Sequence, residues 1–317
     1  MGSLILFLDQ YRDESSCIKS LSDRKWPDGF SCDHCQSERS YQLKTRPRIF
    51  ECVKCRHQHS VTAGTVFHKT RIPLRKWFLA AFLMMSDKRG VSAMFLSREL
   101  DIRYETAWLM AHKLRHALYE REEFKLDQFV EADETFYGGR NQKGMQGRSK
   151  APGKSLIVLA VEKVVANKKQ NRGIKQHGFI AGNARIQVIP AASNEELGAF
   201  IRANVRPGTR LLTDAWAGYK GLEGYNHNPV VQGAGENAAK NMPIAHILFS
   251  NIKAWLNGTH HGVSSKHLPR YLREWAYRFN RRGYKGTEGR ILQRAIMGSA
   301  ITYKQLVDGF RPEGAIG

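Results

Sequence analysis

The stretch Phe129-Val130-Glu131-Ala132-Asp133 (FVEAD) reads as a buried strand that ends on an acid. Alternation along a strand puts Glu131 on the same face as Asp133, and Glu134 follows at once. Downstream, Ser155–Val165 (SLIVLAVEKVV) is a second apolar strand and Ala184–Ile189 (ARIQVI) a third. Glu195–Val205 (EELGAFIRANV) has helical spacing. Arg210–Thr213 (RLLT) is a short strand running into Asp214, and Asn228–Val231 (NPVV) is a weaker strand candidate. Pro243–Asn257 (PIAHILFSNIKAWLN) is a helix with proline in its first turn. Three strands, a helix, a fourth strand and more helix is the element order of an RNase H-like α/β domain with a mixed sheet, spanning 128–282.

Two acids at strand ends suit a specific chemistry. Phosphodiester cleavage without a covalent enzyme intermediate uses two divalent metals about 3.5–4 Å apart, one at the attacking oxygen and one at the leaving oxygen. Mg²⁺ and Mn²⁺ take hard oxygen donors. Asp133 and Asp214 fit the two strand-end positions, and a third ligand is expected from a helix across the sheet. In the helix 243–257, Ile244, Leu248, Ile252 and Trp255 form one stripe at about 100° per residue, with Asn251 on its edge. Its side-chain oxygen either ligates a metal or hydrogen-bonds the sheet. His246, Ser250, Lys253 and Asn257 cluster on the opposite face, where Lys253 is expected to meet a backbone phosphate.

Upstream, Cys32-x-x-Cys35 and Cys52-x-x-Cys55 are two pairs with the spacing of a structural zinc site in which four thiolates close a tetrahedron. Residues 29–65 are therefore expected to be a zinc ribbon holding one Zn²⁺, dependent on the metal to fold. The alternatives are two disulfides or a redox pair. Cys17 has no partner in the pattern and reads as a buried thiol of an N-terminal helical segment, 1–28. Residues 70–120 are helical, with apolar positions at Leu96, Leu100, Ile102, Ala107, Ala111, Leu114 and Leu118. A short turn before Tyr104 makes this a helix-turn-helix pattern, with Arg103, Tyr104, Glu105 and Thr106 as base-reading candidates. The bland reading is a helical connector.

The 317 residues carry 50 Lys and Arg against 29 Asp and Glu, a net charge of +21, and 42% are apolar. A disordered chain is excluded and a polyanionic partner is suggested. No apolar run reaches the ~20 residues of a membrane span. The five cysteines, without a secretory signal, fit a reducing, cytoplasmic setting beside the nucleoid. The loop Gly258-Thr259-His260-His261-Gly262 is expected beside the active site. Lys266, His267, Arg270, Arg273, Arg278, Arg281 and Arg282 mark a basic helix expected to track phosphates. The segments 138–154 and 168–176 are basic and glycine-rich, and 283–317 reads as a basic tail.

Together these stretches resemble a known family: bacterial insertion-sequence transposases of the group related to the Merlin transposons, within the DDE superfamily. The likeness rests on the ribbon cysteines, HSVTAGTVFHKTRIPLRKWF (59–78), ADETFYGGR around Asp133, LLTDAWAGY around Asp214, and FSNIKAWLNGTHHGVSSKHLPRYLREWAYRFNRR (249–282). It implies an enzyme that binds transposon-end DNA, cuts it with two Mg²⁺ or Mn²⁺ ions, joins it to target DNA, and works as a homodimer or larger assembly. It also implies Asp133, Asp214 and Asn251 as the site, an Asn in place of the third acid; Glu236 is the rival third ligand. A DNA-binding regulator derived from a transposase and an RNase H-like nuclease are the competing readings.

Overall fold

The computed structural model describes residues 3–118, 124–138, 153–165, 178–230, 242–284 and 287–308. The chain divides into two compact units, one of residues 120–282 and one of residues 1–119 with 283–317. Among the described residues, no helix is long and apolar enough to cross a membrane.

The 120–282 unit is built on five strands: β4 (Phe129–Tyr137), β5 (Ser155–Val165), β6 (Phe179–Ile189), β7 (Arg210–Asp214) and β8 (Asn226–Val230). Their order is β6-β5-β4-β7-β8. Strand β5 runs antiparallel to both β4 and β6, while β7 lies parallel to β4 and β8 parallel to β7. This is the mixed sheet of the RNase H-like arrangement. Helix α6 (Asn194–Asn204) makes the crossover from β6 to β7, started by the Ser193 hydroxyl, which accepts from the Glu196 N–H.

Both sheet faces are covered, which explains why β5 is apolar without alternation. Leu156, Val158 and Ala160 pack with Val130, Ala132 and Leu211 against Leu197, Phe200 and Ile201 of α6. Ile157, Leu159 and Val161 point the other way, toward α7 (Pro243–His260) and α8 (Leu268–Asn280). There Ile244, Leu248, Ile252 and Trp255 form the buried stripe expected for α7.

Strand β4 departs from the expectation in one respect: it does not end at Asp133 but continues to Tyr137, paired with β5 along its length. Asp133 thus lies in mid-strand, and it is β7 that stops, on Asp214.

In the other unit, α1 (Leu4–Gln10) and α2 (Glu14–Lys25) precede a three-stranded antiparallel ribbon, β1 (Ser40–Gln42), β2 (Ile49–Cys52) and β3 (Gln58–Ser60). Helices α3 (Leu74–Ser86), α4 (Ala93–Glu99) and α5 (Tyr104–Ala117) follow. Ala107, Ala111, Leu114 and Leu118 are all buried, as their spacing requires. The segment after 283 is not a plain tail. It forms α9 (Thr287–Met297) and α10 (Tyr303–Val307), and α9 packs on α2, α3 and α5 through buried Ile291, Leu292 and Ala295.

Candidate active site

The parallel register Glu131↔Leu212 carries forward two residues, so Asp133 and Asp214 become neighbours on the sheet face that α7 covers. Both are 6% exposed. With Glu134 they form a cluster in which one carboxylate oxygen from each residue lies within 4.8 Å of the others. Each acid is held. Asp133 Oδ1 accepts from the Glu134 N–H at 2.9 Å, Asp214 Oδ1 from the Trp216 N–H at 3.2 Å, and Glu134 Oε2 from the Tyr219 hydroxyl at 2.8 Å. Burial and the surrounding carboxylates push the Tyr219 phenol well above its ordinary pKa, so it remains a donor. Three hard carboxylates gathered at one point are a donor set for a divalent cation such as Mg²⁺ or Mn²⁺.

On the helix, His246 lies beside these acids. His246 Nε2 lies 3.5 Å from Asp133 Oδ2, and burial lowers the His246 pKa, favouring the neutral imidazole. On the same edge of α7, Lys253 Nζ donates to Thr135 Oγ1 at 2.7 Å, and Asn257 Oδ1 accepts from the Tyr137 hydroxyl at 3.1 Å. Lys253 therefore leans toward the acids rather than away; burial lowers its pKa and the Asp133 charge opposes that shift. Asn251 is exposed, about 140° round the helix from His246, on the flank shared with Trp255, which meets His260 and Tyr271. Glu236 lies outside the described residues.

Glu131 shares the face of Asp133, as alternation requires, but its carboxylate is committed elsewhere. Fully buried, Oε2 accepts from the Ile244 and Ala245 N–H groups at the start of α7, 3.0 Å each, and Oε1 is 3.0 Å from Lys163 Nζ. A carboxylate at a helix N-terminus is doubly favoured, by unpaired N–H groups and by the dipole.

In the ribbon, Cys32 and Cys55 Sγ are 3.6 Å apart, as are Cys35 and Cys52, and all four sulfurs lie within 4.8 Å of one another. A ZnS₄ tetrahedron with bonds near 2.3 Å has edges of about 3.8 Å, so the four thiols fit zinc and are far from disulfide distance. Backbone hydrogen bonds lower the Cys52 pKa. His59 adds a contact the spacing did not announce, Nε2 to Cys32 Sγ at 3.3 Å. Cys17 is buried, its thiol pushed up to about 12.

Residues 125–280 match the model of an ISXO2-like transposase domain, and residues 12–58 that of a transposase zinc-ribbon domain. The chain carries an ISXO2-like transposase domain behind a transposase zinc ribbon. It is also similar to an uncharacterized protein in transposable element ISH50 of Halobacterium salinarum, 25% identical over 273 residues, which cover 84% of this chain and 90% of that protein.

Within this chain, the residues expected to meet DNA fall into two groups. Arg103 and Tyr104 are exposed at the start of α5 and Thr106 is half-buried beside them, a free polar helix start. His261 and Lys266 are also exposed. The others are engaged within the protein. His260 closes α7, edge-on to Trp255 and Tyr271. Arg270 is 2% exposed, with Nη1 3.3 Å from His267 Nδ1, so the phosphate role expected for it is corrected to an internal one. Arg278 pairs with buried Glu274 at 3.3 Å and Arg281 stacks on Tyr277. Arg282 donates to the Phe279 and Ala181 carbonyls and lies over the Phe279 ring. Most of the basic loops 138–154 and 168–176 lies outside the described residues.

Proposed function

We propose that this protein is a DNA transposase that binds the terminal inverted repeats of its element and catalyses metal-dependent strand cleavage and strand transfer. The observation that carries this reading is the cluster of Asp133, Glu134 and Asp214 beside His246. A divalent pair bound there, Mg²⁺ or Mn²⁺, would supply activation of the attacking oxygen and stabilisation of the leaving one. Asp133 and Asp214 are the proposed anchoring ligands, with His246 as the helix-borne donor. Tyr219 orients Glu134, and Lys253 is placed to neutralise a phosphate oxygen. The ribbon's Zn²⁺ is structural. Arg103, Tyr104 and Thr106 at the start of α5 are the proposed readers of end DNA, in helix-turn-helix fashion, and two copies hold the two ends.

The test is cleavage and joining of labelled end DNA by the purified protein. Wild type is expected to cut with Mg²⁺ or Mn²⁺ and to join the freed 3′ ends to plasmid DNA. Asp133→Asn and Asp214→Asn are expected to bind the same DNA and cut it at least ~10³-fold more slowly, the scale on which removal of an essential catalytic group is felt. Undiminished cutting by both variants sinks the assignment. Binding without cutting by wild type indicates a regulator, and cutting without joining a nuclease.

A further inference from the structure

Trp216 follows Asp214 by two residues, just past the end of β7. It is 38% exposed, whereas Trp77, Trp255 and Trp275 are buried. Among the described residues of the 120–282 unit, the other exposed large apolar side chains are Val164 and Val165, on a different strand. An exposed aromatic ring is unremarkable when it is free to turn; this one is held. Its backbone N–H donates to Asp214 Oδ1 at 3.2 Å and its indole Nε1 to the Ala192 carbonyl at 2.9 Å. The ring also packs over Gly218, where a Cβ would come within 2.8 Å of Trp216 Cδ1, the Ala192 carbonyl and Leu197. Glycine at 218 therefore makes room for the indole, and one hydrogen bond from Trp216 reaches the carboxylate proposed to hold metal.

Resting on the transposase reading, we infer that Trp216 is a stacking platform for an unpaired nucleobase of the DNA strand being cut, next to the reacting phosphate. Every base has a π-face, so stacking on a fixed aromatic ring is tolerant of sequence. A base reaches such a ring only after leaving its own stack, which selects DNA whose strands are separating near the cut. The indole N–H is already bonded to the Ala192 carbonyl, so the contact expected with a base is stacking rather than a hydrogen bond.

The probe is a forked duplex of the element's terminal sequence, with a few unpaired nucleotides in the arm to be cut and 5-iododeoxyuridine among them. Its fully paired counterpart is the control, and both are studied with the full-length protein in Ca²⁺ instead of Mg²⁺. Irradiation is expected to cross-link the iodinated base to the peptide bearing Trp216. Trp216→Ala is expected to weaken binding of forked DNA about tenfold, the size of a base–aromatic stack, and of paired DNA less than about twofold. Trp216→Phe, which keeps a ring face and loses the hydrogen bond to Ala192, should retain the preference for forked DNA. A cross-link mapping elsewhere, equal weakening on both probes, or an unchanged forked affinity in Trp216→Ala overturns the inference. These readouts require no cleavage, so failure of the transposase reading shows separately, as wild type that does not cut in Mg²⁺ or Mn²⁺.

Discussion

His246 and Asn251 are five residues apart on α7, and that interval decides which of them meets the acids. At about 100° per residue they point about 140° apart, one edge of the helix lying beside Asp133 and Thr135 and the other beside the aromatic group of Trp255, His260 and Tyr271. His246→Ala is expected to slow end cleavage about 10–100-fold, the usual cost of losing a group at a metal site. His246→Glu, which supplies a further carboxylate, should keep activity, and Asn251→Ala should stay within about twofold of wild type. An imidazole also suits Mn²⁺ better than Mg²⁺, so wild type should cut faster in Mn²⁺ and His246→Glu should narrow the difference. Single-turnover cleavage in each metal checks all three; slow cutting by Asn251→Ala with normal cutting by His246→Ala restores the sequence-based ligand. The apolar stripe of α7 was legible because it is local. Which of its two edges faces the acids was not, since that depends on α7 lying over β5, with one edge toward β4, a long-range fact of packing.

The clearest case at the level of elements is the join between β4 and α7. Glu131 spends its carboxylate on two N–H groups of the α7 first turn and on Lys163, so the strand that carries Asp133 also fixes the start of the helix that carries His246. Glu131→Ala removes the acceptor and leaves Lys163, itself nearly buried, without its counter-charge, at a cost of about 3 kcal/mol. Amide exchange in the first turn of α7, followed by mass spectrometry, should speed up by about 10²-fold. Unchanged protection there refutes the anchoring role. Strand alternation placed Glu131 on the correct face, but only the sheet–helix packing shows that it is a cap. The segment after 283 gives the complementary lesson. Its glycines and arginines read as a tail, while Ile291, Leu292 and Ala295, the positions that bury α9, are too few and too closely spaced for a short window to announce a helix. By contrast, Ala107, Ala111 and Leu114 of α5 repeat over several turns and were readable at once, as were the two Cys-x-x-Cys pairs, whose geometry is dictated by one metal.

Across the whole molecule, the net charge of +21 is a poor guide to which cations meet DNA. Of the arginines on or just after α8, Arg270 is buried, Arg278 is paired with Glu274, and Arg281 and Arg282 lie over Tyr277 and Phe279. Burial lowers the pKa of Arg270, so this cation braces the fold at some electrostatic cost, while Arg282 is exposed but donates to the Phe279 and Ala181 carbonyls. Lys266 and Arg103 are exposed as well. The distinction is measurable because each phosphate contact contributes about −0.9 to the slope of log affinity against log salt. For binding of end DNA, Lys266→Ala and Arg103→Ala should each make the slope shallower by about 0.9. Arg270→Gln should leave the slope unchanged and instead lower the melting temperature by several degrees, since a buried hydrogen-bonding side chain has been altered. A slope that changes with Arg270→Gln at unchanged melting temperature would return α8 to the DNA-facing surface and place its arginines among the cations that hold the cut strand.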